Sequence, residues 1–498
     1  GATLVPAGPS YLNDISIRGQ GGGRLGFSES STGIYRDGVF VGGGGFGGRT
    51  FSKIDFFDMQ NLEVYRGPQG ALFGRNAVGG AANVISHKPT DDTSLKIGAG
   101  YNDLDQYDLS FIANVPLVKE VLNARVGGYV SEQDKGYHKL EGTDQYLDTE
   151  SDYGLRGAVR WQVNGKSTID LTLEHSNSVA PGFASLGYNT VIDPGPFERR
   201  GLNLTDTVEI EQTTVIGQLD WNFHFADLVV ISSYTSRDGD RENGDLDHFI
   251  GLNFPFVDLI DEQFEEYERF SAEVRLSSPN STGFSWLIGA DYLGSQSDII
   301  SDRPGTLTGP FATNAALLAI LGRDESSEEL ESFSAFGSFG WDLTEQLNLS
   351  IEARVQSDSK EYDFEHIDYD PTTVNTVLPT TFYQDSTRFL PAVSLMYQLN
   401  DNDNVYGRFA TGYRPGGFNP SPAIGFFDQA SFDPETAQSV EFGWKRLGTF
   451  GNIRVQTDVA VYYTWTDDIL MQTSLSTLDS RTSLQNVGDA TQYGLEAS

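Results

Sequence analysis

The feature that most limits what this chain can fold into is a strict two-residue alternation of apolar and polar side chains. It recurs in runs of about ten residues from near Ser94 to the end. Tyr153, Leu155, Gly157, Val159, Trp161 and Val163 make one face of such a run, and Gly154, Arg156, Ala158, Arg160 and Gln162 make the other. Leu347, Leu349, Ile351, Ala353 and Val355 oppose Asn348, Ser350, Glu352, Arg354 and Gln356 in the same way. About 16 strands of this kind are predicted, each near the nine to eleven residues, roughly, that cross a bilayer at a tilt.

Alternation alone also suits a soluble sandwich, so the environment is read from two further features. Short turns at Pro116 to Val121, Asn164 to Lys166, His224 to Asp227, Asp342 to Gln346 and Asn400 to Asp403 interleave with long segments. Those segments include Val179 to Glu211, Gly239 to Gln263 and Ile299 to Ser327. Short turns on one rim and long loops on the other are the pattern of an outer-membrane barrel. Trp161, Trp221, Trp286, Trp341 and Trp444 all lie beside a short turn, and Trp465 lies near a long loop. A soluble core would not sort tryptophans to one end of the strands, whereas a membrane interface does.

Composition removes other classes. A chain of 498 residues exceeds the roughly 250 to 300 at which one soluble core stops growing, which points to several domains or one large closed β architecture. No apolar run approaches the roughly 20 residues of a spanning helix; the best is Ala315 to Leu321. With no cysteine, thiol catalysis, disulfides and thiolate metal sites are excluded. A formal charge of -37 repels phosphate backbones, so no nucleic-acid partner is expected.

The first 89 residues differ in texture, with GQGGGRLG and VGGGGFGG around the strand-like GIYRDGVFV, and read as a small loop-rich unit. Within it, Leu62-Glu63-Val64-Tyr65-Arg66-Gly67-Pro68-Gln69-Gly70-Ala71-Leu72-Phe73-Gly74-Arg75-Asn76-Ala77-Val78-Gly79-Gly80, followed by Ala82-Asn83-Val84-Ile85-Ser86, resembles the plug-domain signature of TonB-dependent outer-membrane receptors. Ile17-Arg18-Gly19 and Ile34-Tyr35-Arg36-Asp37-Gly38-Val39 match the same plug pattern in order. Asn404 to Asn419 and Pro434-Glu435-Thr436 through Glu441-Phe442-Gly443-Trp444-Lys445 resemble the family's barrel strands. The resemblance implies an all-β transmembrane antiparallel barrel of about 22 strands, with an α+β plug in the lumen. A partial plug is expected at residues 1–89 and a partial barrel at 90–498. The TonB-binding segment is expected before Gly1 and about six strands after Ser498.

A plug must seal the lumen and yet release, which calls for polar contacts. Val440, Phe442 and Trp444 on the lipid face turn Glu441 inward, and Leu495 does the same for Glu496. The family sets plug arginines against such glutamates, and by resemblance Arg18 and Arg66 would latch onto Glu441 and Glu496. Arg66, Gly67, Pro68, Gly70, Gly74, Gly79, Gly80 and Asn83 carry the plug signature. The resemblance further implies TonB and outer-membrane lipid as partners, the Gram-negative outer membrane as location, and import of a scarce nutrient, a ferric siderophore by default. Cobalamin or oligosaccharide import are the alternatives within the family. A passive porin and a secreted acidic hydrolase are the alternatives outside it.

Other signals carry less. Gly21, Gly23 and Gly26 fit G-x-G-x-x-G, but no helix is predicted after them and the dinucleotide reading fails. Asp238, Asp240, Asp245 and Asp247 are expected in one solvated loop, and Asp358, Glu361, Asp363, Glu365, Asp368 and Asp370 in loops of an outer vestibule. His87, His138, His175, His224, His248 and His366 lack metal-ligand spacing, so neither a metal site nor a cofactor is predicted, and no catalytic dyad stands out. The acidic vestibule suits a neutral or cationic ligand unless inward Arg156, Arg160, Arg354 and Arg408 invert the local potential.

Overall fold

The computed structural model describes residues 2–5, 14–21, 29–43, 45, 51–140, 143–182, 198–199, 206–245, 257–279, 283–313, 318, 321–369, 377–419, 430–450, 453–474 and 482–498. Among the described residues, sixteen long strands form a barrel, beginning with Ser94–Tyr101 and ending with Ala490–Ala497. Strands adjoining along the sequence pair antiparallel, as in Ser151–Asn164 against Ser167–Pro181 and Leu347–Asp368 against Val377–Asn400, each with one register shift near an end. The short piece Gly305–Leu307 pairs with Val257–Leu259.

The alternation sorts as hydrocarbon outside and water inside require. Leu155, Leu173, Phe442 and Leu495 are 53 %, 56 %, 65 % and 70 % exposed on the outer face, far more apolar surface than a soluble monomer tolerates. Trp341 and Phe333 stand on this face eight residues apart in one strand, about 26 Å along it, close to the roughly 25 Å apolar band of such barrels. Trp286 pairs beside the Trp341 end through Phe339, while Tyr292 pairs with Phe333, their tilted rings 4.7 Å apart between centroids. Tyrosine and phenylalanine therefore make the second girdle, the one toward the long connections.

Strand length departs from expectation. Gly322–Asp342, Leu347–Asp368 and Val377–Asn400 run 21, 22 and 24 residues, about 70 Å or more each. The ladders continue past the apolar band because the alternation itself inverts there. In Leu347–Asp368, Val355 is followed in the outer row by Ser357, Ser359, Glu361 and Asp363 before an apolar residue returns at Ile367, while Tyr362 and Phe364 are buried inside. Water on the outside selects the polar row, and a lumen crowded with side chains accepts the aromatic one.

This inversion corrects the two acidic loops. Asp238, Asp240 and Asp245 lie in the strand Asp227–Asp245, and Asp358, Glu361, Asp363, Glu365 and Asp368 lie in Leu347–Asp368; Asp247 and Asp370 fall outside the described residues. The acids instead form cross-strand rows. Asp238, Glu266 and Asp298 are successive partners on three strands, as are Glu329 with Glu361 and Glu325 with Glu365. Among the described residues no group of three His, Cys, Asp or Glu is placed to hold a metal ion.

Inside the barrel lies a four-stranded sheet ordered Val39–Phe40, Thr32–Arg36, Gly80–Ser86, Met59–Arg66, with the two central strands parallel. Ile34, Val78, Ala81 and Val84 are its buried core. The short helices Lys53–Phe56 and Gly70–Phe73 complete an α+β unit. Asp55 starts the first of them, accepting from the Ser52 backbone N–H at 2.7 Å.

Like charges directly opposite on a sheet destabilise it by roughly 0.2–1 kcal/mol per pair. Glu266→Gln removes two such oppositions and is expected to raise the thermal midpoint of the detergent-solubilised protein at low salt. The gain should shrink as added salt screens the row; a loss of stability at low salt would contradict the reading.

Candidate functional site

The contact between inner sheet and barrel wall is built from a tight turn. Ile17 and Gln20 exchange backbone hydrogen bonds at 3.0 Å, and the two residues between them, Arg18 and Gly19, both take positive φ, 56° and 79°. That geometry is the two-residue hairpin turn that favours glycine. It sets the Arg18 side chain against the wall, where the guanidinium lies 2.6 Å from Glu441 and 2.8 Å from Glu496. Arg18 also sits over the Tyr462 ring at 4.1 Å, and the Tyr406 hydroxyl donates to Glu441 at 2.6 Å. Arg66 reaches Glu496 at 3.2 Å from a more exposed position. Burial opposes charge on Arg18, but hydrogen bonds and charge from Glu496 and Glu441 outweigh it and push its pKa up. Gln20 adds donations to Thr466 and Gln492, both at 2.8 Å.

The glycines of the signature are places where chains come too close for a side chain. Gly67 has φ 76°, and a Cβ there would stand 3.0 Å from the Arg18 guanidinium. Gly74, also at φ 76°, leaves the same clearance for Arg354. Gly70 abuts Thr411 and Gly412 of the wall, Gly79 packs on Gln20, and Gly80 on Ile17 and Tyr65. Pro68 is buried between two backbone bonds, Gly67 N–H to Gly79 and Gln69 N–H to Ala77, both at 3.0 Å. Asn83 donates to Glu63 and accepts from the Gly38 N–H, each at 3.3 Å.

A second polar clamp, which the motif reading missed, holds another side of the sheet. Arg36, fully buried, joins Asp55 at 2.9 Å to the wall residue Glu174, which also pairs with Arg156. Arg156 donates to the carbonyls of Ile54 and Phe57 in the inner unit. Arg125 binds both oxygens of Asp58 at 2.5 Å. The alternation already turned Arg156 inward, but its inner partners are the backbone carbonyls of Ile54 and Phe57, groups no motif marks, and nothing in the plug pattern around Arg36 names Glu174 as its partner.

The arginines expected to invert the lumen potential do not present free charge. Arg156 is paired with Glu174, Arg160 with Asp170 at 2.7 Å, Arg354 with Asp291 at 2.5 Å and Arg408 with Glu352 at 3.3 Å. Farther along the long strands, an inward chain of ion pairs crosses neighbouring strands. Asp206 meets Arg241 at 3.3 Å, Arg241 meets Asp261 at 2.8 Å, Asp261 meets Arg303 at 3.3 Å, and Arg303 meets Asp324 at 3.1 Å. His366 closes it by donating to Asp324 at 2.6 Å. His366 is thus a buried structural partner. Gly21 has φ 81° and no helix follows it among the described residues; Gly23 and Gly26 lie outside them.

At the apex of the inner sheet, Glu29 accepts from Arg75 at 2.7 and 2.8 Å and from Asn76 at 2.7 Å. Burial pushes the Glu29 carboxyl up, but the charges of Arg75 and Lys360 and these hydrogen bonds hold it below its ordinary value. Arg75 forms a parallel backbone bridge with Tyr413 of the wall, whose hydroxyl donates to Asp358. A cavity of about 450 Å³ lies beside this apex between sheet and wall, lined by Tyr35, Phe73, Arg75, Glu273, Asp291 and Arg354 among others. The arrangement is a lumen filled by a folded unit that buried ion pairs and hydrogen bonds tie to the wall.

Comparison with known proteins gives the same architecture. Residues 160–498 match the model of the TonB dependent receptor-like β-barrel, and residues 1–81 that of the TonB-dependent receptor plug domain. The pesticin receptor of Yersinia enterocolitica is 22 % identical over 513 residues, covering 100 % of this chain and 68 % of the relative. The ferrioxamine B receptor of Salmonella typhimurium is 27 % identical over 174 residues, 34 % of this chain and 23 % of the relative. The ferric yersiniabactin uptake receptor of Yersinia pestis superposes with a TM-score of 0.81 at 18 % identity, covering 100 % of this chain and 71 % of that one. With its inner sheet, sixteen-strand wall and both family models in sequence order, the chain belongs to the TonB-dependent receptor family.

Proposed function

We propose that this chain is the plug and much of the barrel of an outer-membrane importer that takes up a ferric siderophore with energy relayed by TonB. The plug comprises residues 1–89 and the barrel residues 90–498. It acts as a transporter and not as an enzyme. The ferrioxamine B and ferric yersiniabactin receptors supply the ligand class. The observation that carries the mechanism is Arg18 held between Glu441 and Glu496, a contact that closes the lumen yet consists of ion pairs.

Ligand binding over the apex would shift the population of plug conformations, and a pull from the short-turn side would then break the latch. Pairs at the edge of a wet lumen suit that work. A dry apolar seam of the same area would resist separation throughout, whereas ion pairs regain hydration as they part.

Arg18→Ala leaves Glu441 without its cation and Glu496 with only the more exposed Arg66, and should weaken plug docking by roughly 2 kcal/mol. Arg66→Ala should cost under about 1 kcal/mol, because Arg66 is more exposed and Glu496 keeps Arg18. Single-channel conductance of the full-length receptor, with and without urea, measures both. Equal leakage from the two variants would sink the latch.

The Glu29 contact sets a pH dependence. A carboxyl whose folded value lies below its ordinary 4.5 stabilises the fold above that value, and the contribution is lost as pH falls through the lower, folded value. Protection of the apex from protease should therefore persist from neutral pH to below the ordinary carboxylate range, and Glu29→Gln should lose it already at neutral pH. An apex equally protected in both proteins at every pH removes the role.

Abundance of the full-length protein in outer membranes should rise strongly when the native bacterium is starved of iron. No response to iron would turn the assignment to cobalamin, oligosaccharide or another nutrient.

A further inference from the structure

The lipid-facing wall is not uniformly convex. On the outer face of four adjacent strands, Leu395, Gly407, Phe442 and Val461 form one cross-strand row, and Tyr397, Val405, Trp444 and Val459 form the next row toward the short turns. Gly407 adds no side chain to the first row, and the Phe442 ring leans over it so closely that a Cβ there would stand 3.1 Å from the ring. The result is an apolar groove of about 470 Å³ bounded by these two rows.

One row nearer the turn, the outer face carries a cation in a chain whose net charge is -37. Arg446 pairs in register with Asp403, and its guanidinium lies 3.6 Å from the Asp403 carboxylate with the side chain 53 % exposed. Trp444 Nε1 donates to the same carboxylate at 3.1 Å. Asp403 thereby orients both the indole and the guanidinium at one level of the wall. Successive rows on one strand face are about 6.6 Å apart, so the cation stands one row beyond the Trp444 edge of the groove and about 13 Å from the Gly407 row.

From cation through aromatic to apolar groove, this sequence repeats the order of an anionic glycerophospholipid from phosphate through glycerol to acyl chain. We propose that one such lipid, from the leaflet at the short-turn rim, is a resident ligand of the barrel, with its phosphate on Arg446 and an acyl chain over Gly407. The guanidinium offers parallel donors to phosphate oxygens, and the glycine supplies the depth that a side chain would fill. The same strands carry Glu441 on their inner face, so the lipid backs the wall segment that faces Arg18. The inference rests on the reading of the chain as a membrane barrel.

The test is native mass spectrometry of the full-length receptor released from nanodiscs of phosphatidylglycerol and phosphatidylethanolamine in equal parts. Wild type is expected to retain one phosphatidylglycerol in preference to phosphatidylethanolamine. Arg446→Gln should reduce that retention about fivefold, the factor for removing one cation from an anionic lipid surface. Arg446→Lys should keep most of it, and Gly407→Leu should abolish it. If Gly407→Leu fails to fold, the two Arg446 variants decide the matter alone. Retention indifferent to headgroup, or unchanged in Arg446→Gln, overturns the proposal. Recovery of the wild type without detergent would instead overturn the membrane reading, a result seen before any lipid is counted.

Discussion

A strand that crosses hydrocarbon must give every backbone N–H and C=O a neighbouring strand, and everything else in this protein follows from that demand. Sixteen strands paired in sequence order enclose a lumen, and the two-residue pleat then sends alternate side chains into it. The outward row is free to be apolar. The inward row meets water and must be polar, so any domain that fills the lumen docks against serines, carboxylates and guanidiniums. The plug is held largely by such polar groups, with small apolar contacts beside them where Val39 meets Ile216 and Ile231 and Ala71 meets Ala392 and Ala410.

That constraint also explains where the cations go. The chain has 33 Lys and Arg against 70 Asp and Glu, and many of the described arginines lie on the inner side in pairs or at plug carbonyls. Arg125 meets Asp58, Arg354 reaches the Leu72 carbonyl at 2.6 Å, and Arg269 the Gly42 carbonyl at 2.7 Å. A wall arginine can satisfy a wall carboxylate and a plug carbonyl together, as Arg156 and Arg354 do. Such shared donors tie two surfaces without an apolar seam, and each tie is separately replaceable by water.

The barrel and half of the latch were legible because period two converts position into direction. Once Phe442 and Leu495 are outward, Glu441 and Glu496 can point only inward, and the exposures of 65 % and 70 % on the apolar pair agree. The second clamp was not legible, because Arg36 and Glu174 are 138 positions apart and one of their connections is a backbone carbonyl. The acidic segments misled for a different reason. Acidity was taken as a sign of loop, but extended strands above the apolar band keep their ladders and change only the chemistry of the outer row, so Glu361 and Asp363 are strand residues.

The inversion of the rows bears on how a ligand would be chosen. Among the described residues, Asp238, Glu361 and Asp363 stand on the outside of the extended strands and the inner chain from Asp206 to His366 pairs acids with bases, so these carboxylates add no unpaired charge to the lumen. Nor do Arg156, Arg160, Arg354 and Arg408 make the lumen basic, since each has a carboxylate partner. A mouth lined by such paired groups attracts neither sign strongly at a distance. Selection then falls to hydrogen bonds and shape at close range, at aromatics such as Tyr362 and Phe418, stacked at 5.0 Å, and at the apex beside Arg75. Net charge computed from sequence describes how the whole surface meets its surroundings; the side on which each charge lies decides what the lumen can hold.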